Sequence, residues 1–301
     1  MRLPVLPVLP TWPVGDAPEV RFTGLDTVWF QLTGTICNIA CRHCFITCGP
    51  KEDRVPMMSR AAVLERLDEA ERLGAREIYF TGGEPMLHPE FWELCEAALA
   101  RAPLTVLSNG ILIGEDEARR ARELFDRARY SFDLRISLDG MSAEENDPVR
   151  GRGTFESITA GIAHLARAGL SPAITVVEHS GGLQATEARA RFLEFARALG
   201  LAHPRVKFLP LLRIGREERR THGYLEGEAE ERLGPLDPEL AGELVCASSR
   251  LVTAFGVMTC PILLDAPEAR LADTLDGARH PIRLRFSACR TCVVEGLSCR
   301  T

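Results

Sequence analysis

Cys37-Asn38-Ile39-Ala40-Cys41-Arg42-His43-Cys44 puts three cysteines within eight residues. Three thiolates can serve one metal cluster, but they leave a four-coordinate site one ligand short. An iron–sulfur cluster is normally held by four cysteines, so a run that stops at three leaves one iron open to a substrate or cofactor. Structural zinc sites instead repeat Cys-x2-Cys pairs. A purely structural triple runs against the usual meaning of closely spaced cysteines in a reducing compartment.

Outward from this run, short apolar stretches alternate with longer helical patterns from Val28 to Leu211, the mark of repeated βα units. Strands are predicted over 28–33, 77–81, 104–108, 133–138, 172–177 and 205–211, and helices over 59–73, 89–100, 115–129, 154–168 and 185–199. Ser59 is the predicted cap of the first helix and Gly74 its left-handed stop. Ala62, Leu64, Leu67, Ala70 and Leu73 form its predicted buried stripe. Six such units are too few for a closed eight-fold barrel. The expected fold is therefore α/β: a partial (β/α)6 barrel, an open curved sheet with helices outside and a ligand site at the carboxyl ends of the strands. Polar, glycine-bearing segments follow four consecutive strands: the cysteine run, Thr81-Gly82-Gly83-Glu84-Pro85, Ser108-Asn109-Gly110 and Ser137-Leu138-Asp139-Gly140.

Composition narrows the function. The chain of 301 residues has 46% apolar and 26% charged residues, ordinary for a globular protein. A net charge of −6 argues against a nucleic-acid partner, which needs a basic footprint. The proline-broken start and the lack of a long apolar run argue against a membrane span, and the expected location is cytoplasmic. Of the ten cysteines, four lie between Cys37 and Cys48 and five between Cys246 and Cys299, with Cys95 alone between the groups. That distribution suggests two clusters rather than a disulfide framework. The expected organisation is an N-terminal extension over 1–26, the barrel over 27–212, a linker or cover over 213–245 and a cysteine-rich module over 246–301. The charged run Arg216-Glu217-Glu218-Arg219-Arg220 in the third segment reads as a solvated face.

The Cys-x3-Cys-x2-Cys spacing, with the His43 ring before the last cysteine and Gly82-Gly83-Glu84-Pro85 after the next strand, resembles the radical S-adenosylmethionine (radical SAM) enzymes. The resemblance implies that Cys37, Cys41 and Cys44 hold a 4Fe-4S cluster whose fourth iron is capped by S-adenosylmethionine. It implies further that Gly82, Gly83, Glu84 and Pro85 receive the methionyl amine, with Glu84 as countercharge. Asn109 would support the cofactor, Ser137 bond its ribose, Arg150 reach its carboxylate and Leu209 pack on its adenine. Each residue also has a plain reading: turn formers for the glycines and Asn109, a strand end for Ser137, a surface arginine and a core leucine. On the strand that carries Leu209, Lys207 shares its face by period-two alternation.

Cys246-x9-Gly256-x3-Cys260 followed by Cys289-x2-Cys292-x6-Cys299 resembles the auxiliary-cluster modules of the same enzymes, called SPASM with two clusters and twitch with one. The full SPASM pattern needs seven cysteines, and here there are five. The resemblance therefore implies a second 4Fe-4S cluster with one of Cys289, Cys292 and Cys299 spare. A structural zinc site competes for these thiols. The implied activity is that of a radical SAM oxidoreductase, which cleaves the cofactor reductively to a 5′-deoxyadenosyl radical and takes hydrogen from its substrate. It would draw electrons from a donor such as flavodoxin or ferredoxin. About twenty-five residues precede the first strand, fewer than the ~40 a small domain needs, which favours a small-molecule substrate. A peptide-modifying maturase is the alternative. A non-catalytic iron–sulfur electron-transfer protein is another, although an electron carrier needs neither Gly82–Pro85 nor Ser137.

Overall fold

The alternation of β2 (Thr27–Gln31) sets the architecture: Val28 and Phe30 enter one apolar core and Trp29 a second, on the opposite face. A computed structural model describes residues 17–178, 186–224, 236–294 and 296. Beside β2, the strands β3 (Glu77–Thr81), β4 (Leu104–Ser108), β5 (Phe132–Ser137), β6 (Ala173–Glu178) and β7 (Arg205–Pro210) follow in order, each parallel to the last. The helices α1 (Arg60–Arg72), α2 (Phe91–Leu99), α3 (Glu115–Arg127), α5 (Thr154–Arg167) and α6 (Thr186–Ala198) connect them. Their apolar sides (Leu67, Leu94, Leu124, Ile162 and Phe192) share one core with Phe30, Phe80, Val106, Ile136 and Val176. The six predicted strands and five predicted helices all form, with ends shifted by no more than two residues.

The start of α1 is capped as expected: the Ser59 Oγ accepts from the Ala62 N–H at 3.2 Å, and Gly74 takes φ +80°. The buried stripe is rotated from the expected one. Val63, Leu67 and Ala70 are buried, with Glu69 beside them, whereas Ala62, Leu64 and Leu73 flank the core. Glu69 tolerates burial because it pairs with Arg66 and accepts from the Asp276 N–H at 3.0 Å.

Several elements were not predicted, among them one helix beside the barrel and the strands at the two ends of the described chain. Helix α4 (Ala143–Arg150) forms in the segment after β5 despite Pro148. A seventh parallel strand, β8 (Ser249–Thr253), pairs with β2 on the side away from β3. Next to it, β9 (Gly256–Met258) and β10 (Arg270–Ala272) continue antiparallel, so the sheet order is β10-β9-β8-β2-β3-β4-β5-β6-β7. The cysteine-rich segment is thus continuous with the barrel sheet, not merely appended to it. At its other end β11 (Ile282–Arg283) pairs with β1 (Glu19–Val20), tying the start of the described chain to the same segment. The second core joins both parts: Trp29 stacks on Tyr79 at 4.1 Å, and Leu251, Met258, Ile262 and Phe286 close over that face. No helix among the described residues is long and apolar enough to cross a membrane.

Candidate functional site

The cysteine run leaves the carboxyl end of β2 as a loop closed at its base. Ile36 bridges Gly49, and the Cys37 N–H donates to the Gly49 carbonyl at 3.1 Å. Arg216 clamps the loop from outside. Its backbone N–H donates to the Cys44 carbonyl at 2.9 Å, and its guanidinium to the carbonyls of Cys41 at 2.6 Å and Cys48 at 2.7 Å. Gly215 permits this approach: at φ +64°, a Cβ would sit 2.2 Å from the Phe45 carbonyl oxygen. The sequence expectation for this charged run is therefore corrected. Arg216 is half-buried, and Glu217 is buried and paired with Arg220. An average over a charged segment conceals which of its members fold inward.

The three thiols act on one another through charge. Burial pushes Cys37 up to about 12, and Glu84, Cys41 and Cys44 add to that shift. Cys41 is raised by burial as well, against the charge of Arg150. Cys44 goes the other way, to about 6, first because the Cys48 thiol donates to it and then through the amides of Cys48 and Ile46. Donors face the sulfurs: the Cys48 N–H lies 3.2 Å from the Cys44 Sγ and the Asn109 Nδ2 3.7 Å from the Cys37 Sγ. Such N–H groups suit thiolates that carry a cluster and tune its potential. Among the described residues, no group of three or more His, Cys, Asp or Glu closes on a single-ion site. By donor type, the three thiols of this one loop, Cys37, Cys41 and Cys44, fit a three-thiolate cluster.

Gly82 and Gly83 let β3 pass close under this loop. A Cβ would fall 2.2 Å from the Thr33 Oγ1 at Gly82 and 2.2 Å from the Ile36 carbonyl at Gly83. The Glu84 carboxylate is turned into the protein and fully buried. It accepts from the Ser108 Oγ at 2.9 Å, the Met86 N–H at 3.2 Å and the Asn109 N–H at 2.8 Å. Burial raises it to about 7 against those three bonds. The structure thus uses this carboxylate to join the end of β3 to the turn after β4, a role the sequence reading of Glu84 as a countercharge did not contain. Asn109 passes the link on, donating to the Asn38 Oδ1 at 2.6 Å. Pro85 opens the short 3₁₀ turn that Glu84 caps.

Asp139, two residues past β5, forms the charged centre of the site. It is fully buried; its Oδ2 lies 2.6 Å from the His43 Nε2 and 2.8 Å from the Arg150 Nε, and its Oδ1 accepts from the Val177 N–H at 2.9 Å. Burial pushes this carboxyl up, but Arg150 and His43 hold it well below the usual carboxylate range. Arg150 is buried at the end of α4, and its Nε meets Asp139 in ion-pair contact off the angle of a hydrogen bond. The sequence placed Arg150 at the site but missed its partner, and the only signal was Asp139-Gly140 at a strand end. Asn146 steadies the turn, accepting from the Asp139 N–H at 3.1 Å. Next to this cluster lies a cavity of about 440 Å³, lined in part by His43, Asp139, Met141, Val149, Phe192 and Glu217.

Ser137 and Leu209 stand outside that network. Ser137 ends β5 opposite Thr175, which faces Lys207 across β6 and β7, and Leu209 faces Val177 one step on. In the C-terminal segment, Cys246, Cys260, Cys289 and Cys292 line one small apolar cavity together with Leu244, Ile262 and Leu284. Cys299 lies outside the described residues. Burial raises the thiols of Cys260 and Cys289. Cys48 is the partner of Cys44, and Cys95 is a core thiol of α2.

A parallel, partly closed barrel with a three-cysteine loop at the end of its first parallel strand defines a radical SAM type of protein. The model of the radical SAM superfamily matches residues 32–196, more than half of the chain, and the chain belongs to that superfamily. It is similar to the mycofactocin maturase MftC of Mycobacterium tuberculosis, with 36% identity over 165 residues, 54% of this chain and 40% of the relative. It is likewise similar to the AdoMet-dependent heme synthase of Oleidesulfovibrio alaskensis, with 36% identity over 138 residues, 44% of this chain and 34% of the relative. The chain thus spans well under half the length of these curated relatives. In fold it resembles Streptococcus suis SuiB bound to the precursor peptide SuiA, with TM-score 0.61 at 15% identity over 86% of this chain and 65% of that one.

Proposed function

We propose that this chain is a peptide-modifying radical SAM enzyme. The observation that carries the reading is the 36% identity with a maturase over 165 residues, 54% of this chain. The SuiB likeness agrees with it by fold. Cys37, Cys41 and Cys44 would hold the first 4Fe-4S cluster, with S-adenosylmethionine received by Gly82, Gly83, Ser137, Arg150 and Leu209. When bound, these cofactors supply reductive cleavage of the sulfonium and with it a hydrogen-abstracting radical.

The chain's own residues supply position. Glu84 and Asn109 lock the ends of β3 and β4 against the cysteine loop. Asp139 fixes His43 and Arg150, and Arg216 holds the loop shut. The cavity beside His43 and Asp139 is the space in this reading for the substrate segment. Cys246, Cys260, Cys289 and Cys292, gathered around one cavity, would make the four-thiolate set of an auxiliary 4Fe-4S cluster, and Cys299, outside the described residues, is the proposed spare. A flavodoxin or ferredoxin is the proposed electron donor, and the cytoplasm the proposed location.

The heme-synthase relative favours a second reading, the small-molecule oxidoreductase. Reconstituted protein with S-adenosylmethionine and dithionite, offered short peptides encoded beside its gene, separates the two. The peptide reading expects 5′-deoxyadenosine together with a matching mass change in one peptide. 5′-Deoxyadenosine that rises only with a small molecule, all peptides unchanged, overturns it.

A further inference from the structure

Arg250, on β8, is the largest fully buried side chain among the described residues. Its guanidinium donates to four backbone carbonyls: Cys246 at 2.8 Å, Ser249 at 2.7 Å, Ala278 at 2.9 Å and His280 at 2.9 Å. The Phe22 ring covers it at 4.3 Å. Among the described residues, no carboxylate pairs with it. Carbonyl dipoles satisfy its hydrogen bonds, but they do not supply a countercharge, and a buried unpaired cation is costly. Its bond to the Cys246 carbonyl sets the guanidinium directly behind one of the C-terminal cysteines. Cys246 lines one cavity together with Cys260, Cys289 and Cys292. Four thiolates around an iron–sulfur core leave a net negative charge, which deepens when the core accepts an electron. A fixed cation bonded to the backbone of a cysteine that lines the cavity stabilises the reduced form more than the oxidised one, and a low-dielectric setting strengthens the effect.

We propose that Arg250 is the built-in countercharge of the C-terminal cluster, raising its reduction potential and so suiting it to accept an electron rather than donate one. The proposal rests on the four-cysteine reading above and adds to it a residue that binds no iron. It also explains why an arginine stands where a neutral side chain could fill the core without a charge to compensate. Arg250 acts here as a positioning and tuning residue, through charge, on a group it does not ligate.

The test uses the full chain with Cys37, Cys41 and Cys44 replaced by alanine, so that only the C-terminal cysteines can hold iron. Arg250→Lys and Arg250→Gln are added singly, and each protein is reconstituted anaerobically, assayed for iron and titrated against redox dyes by visible absorbance. Arg250→Lys should keep a midpoint near that of the parent. Arg250→Gln should hold its iron yet shift to a more negative midpoint, with the reduced-to-oxidised ratio at fixed potential falling about tenfold, 59 mV for one electron. If Gln loses the cluster while Lys keeps it, the charge is still what the cluster needs. An unchanged midpoint in Arg250→Gln, or loss of iron from both variants, makes Arg250 a clamp on carbonyls only and overturns the proposal. A parent that holds no iron overturns the four-cysteine reading itself, before Arg250 is touched, and the proposal with it.

Discussion

The loop of Cys37, Cys41 and Cys44 and the cavity of Cys246, Cys260, Cys289 and Cys292 use the same side chain in opposite surroundings. Around the first, polar groups converge: the Asn109 amide and the Cys48 N–H face sulfur, Asp139 joins His43 to Arg150, and Arg216 grips the backbone. Around the second, most of the lining is apolar, Arg283 at its edge faces Glu19 at 3.6 Å, and the buried Arg250 is bonded to the Cys246 carbonyl behind it. A three-thiolate loop has to leave a place for a polar ligand and keep it oriented, which calls for a rigid polar frame. A four-thiolate set needs no further ligand and can sit in a dry pocket, where a single fixed charge has a large effect.

The largest effect that would break this contrast is expected at Asp139. Asp139→Asn leaves Arg150 buried without its partner and should cost about 3–5 kcal/mol of stability in denaturant unfolding. A loss of under 1 kcal/mol would mean that the polar frame is not held by this ion cluster.

Glu84 sharpens the contrast through pH. Its folded value is raised to about 7 from 4.5 by burial, so its contribution to stability is fully present below about 4.5 and is lost as pH rises through about 7. Glu84→Gln cannot ionise. Between those pH values the cluster-free variant should gain on the wild type by about 3 kcal/mol, read from paired unfolding curves. A gap independent of pH would contradict the buried placement of the carboxylate.

The smallest effect is expected at Arg216. Arg216→Ala removes two charge-assisted bonds to loop carbonyls and should cost about 1.5–3 kcal/mol. It should also lower the iron retained by the first cysteine group while leaving that of the second unchanged. Equal losses from both groups would show that the clamp is not local to the loop.

Much of this was legible in the chain. The strand and helix order from 28 to 211 follows from period-two and helical apolar patterns, which are local properties of sequence. The cysteine spacing, Gly82-Gly83-Glu84 and Asn109 announced the loop and the strand ends that support it. What was hidden depends on contacts between distant segments. β8 joins β2 from the far end of the chain, and no local pattern in Ser249–Thr253 states its neighbour. Asp139 carried no signal beyond its place in a polar strand-end segment, because its partners His43 and Arg150 come from another loop and from a helix that the sequence reading did not contain. Arg250 looked like one arginine among many, and only its burial sets it apart.

The central claim is that the first cysteine group holds the cluster that cleaves S-adenosylmethionine while the second holds an independent one. Its most direct measurement compares the wild type with the variant in which Cys37, Cys41 and Cys44 are alanine, both reconstituted anaerobically and assayed for iron and 5′-deoxyadenosine. The account predicts about eight irons falling to about four, with cleavage abolished. Formation of 5′-deoxyadenosine by the variant at the wild-type rate would contradict it.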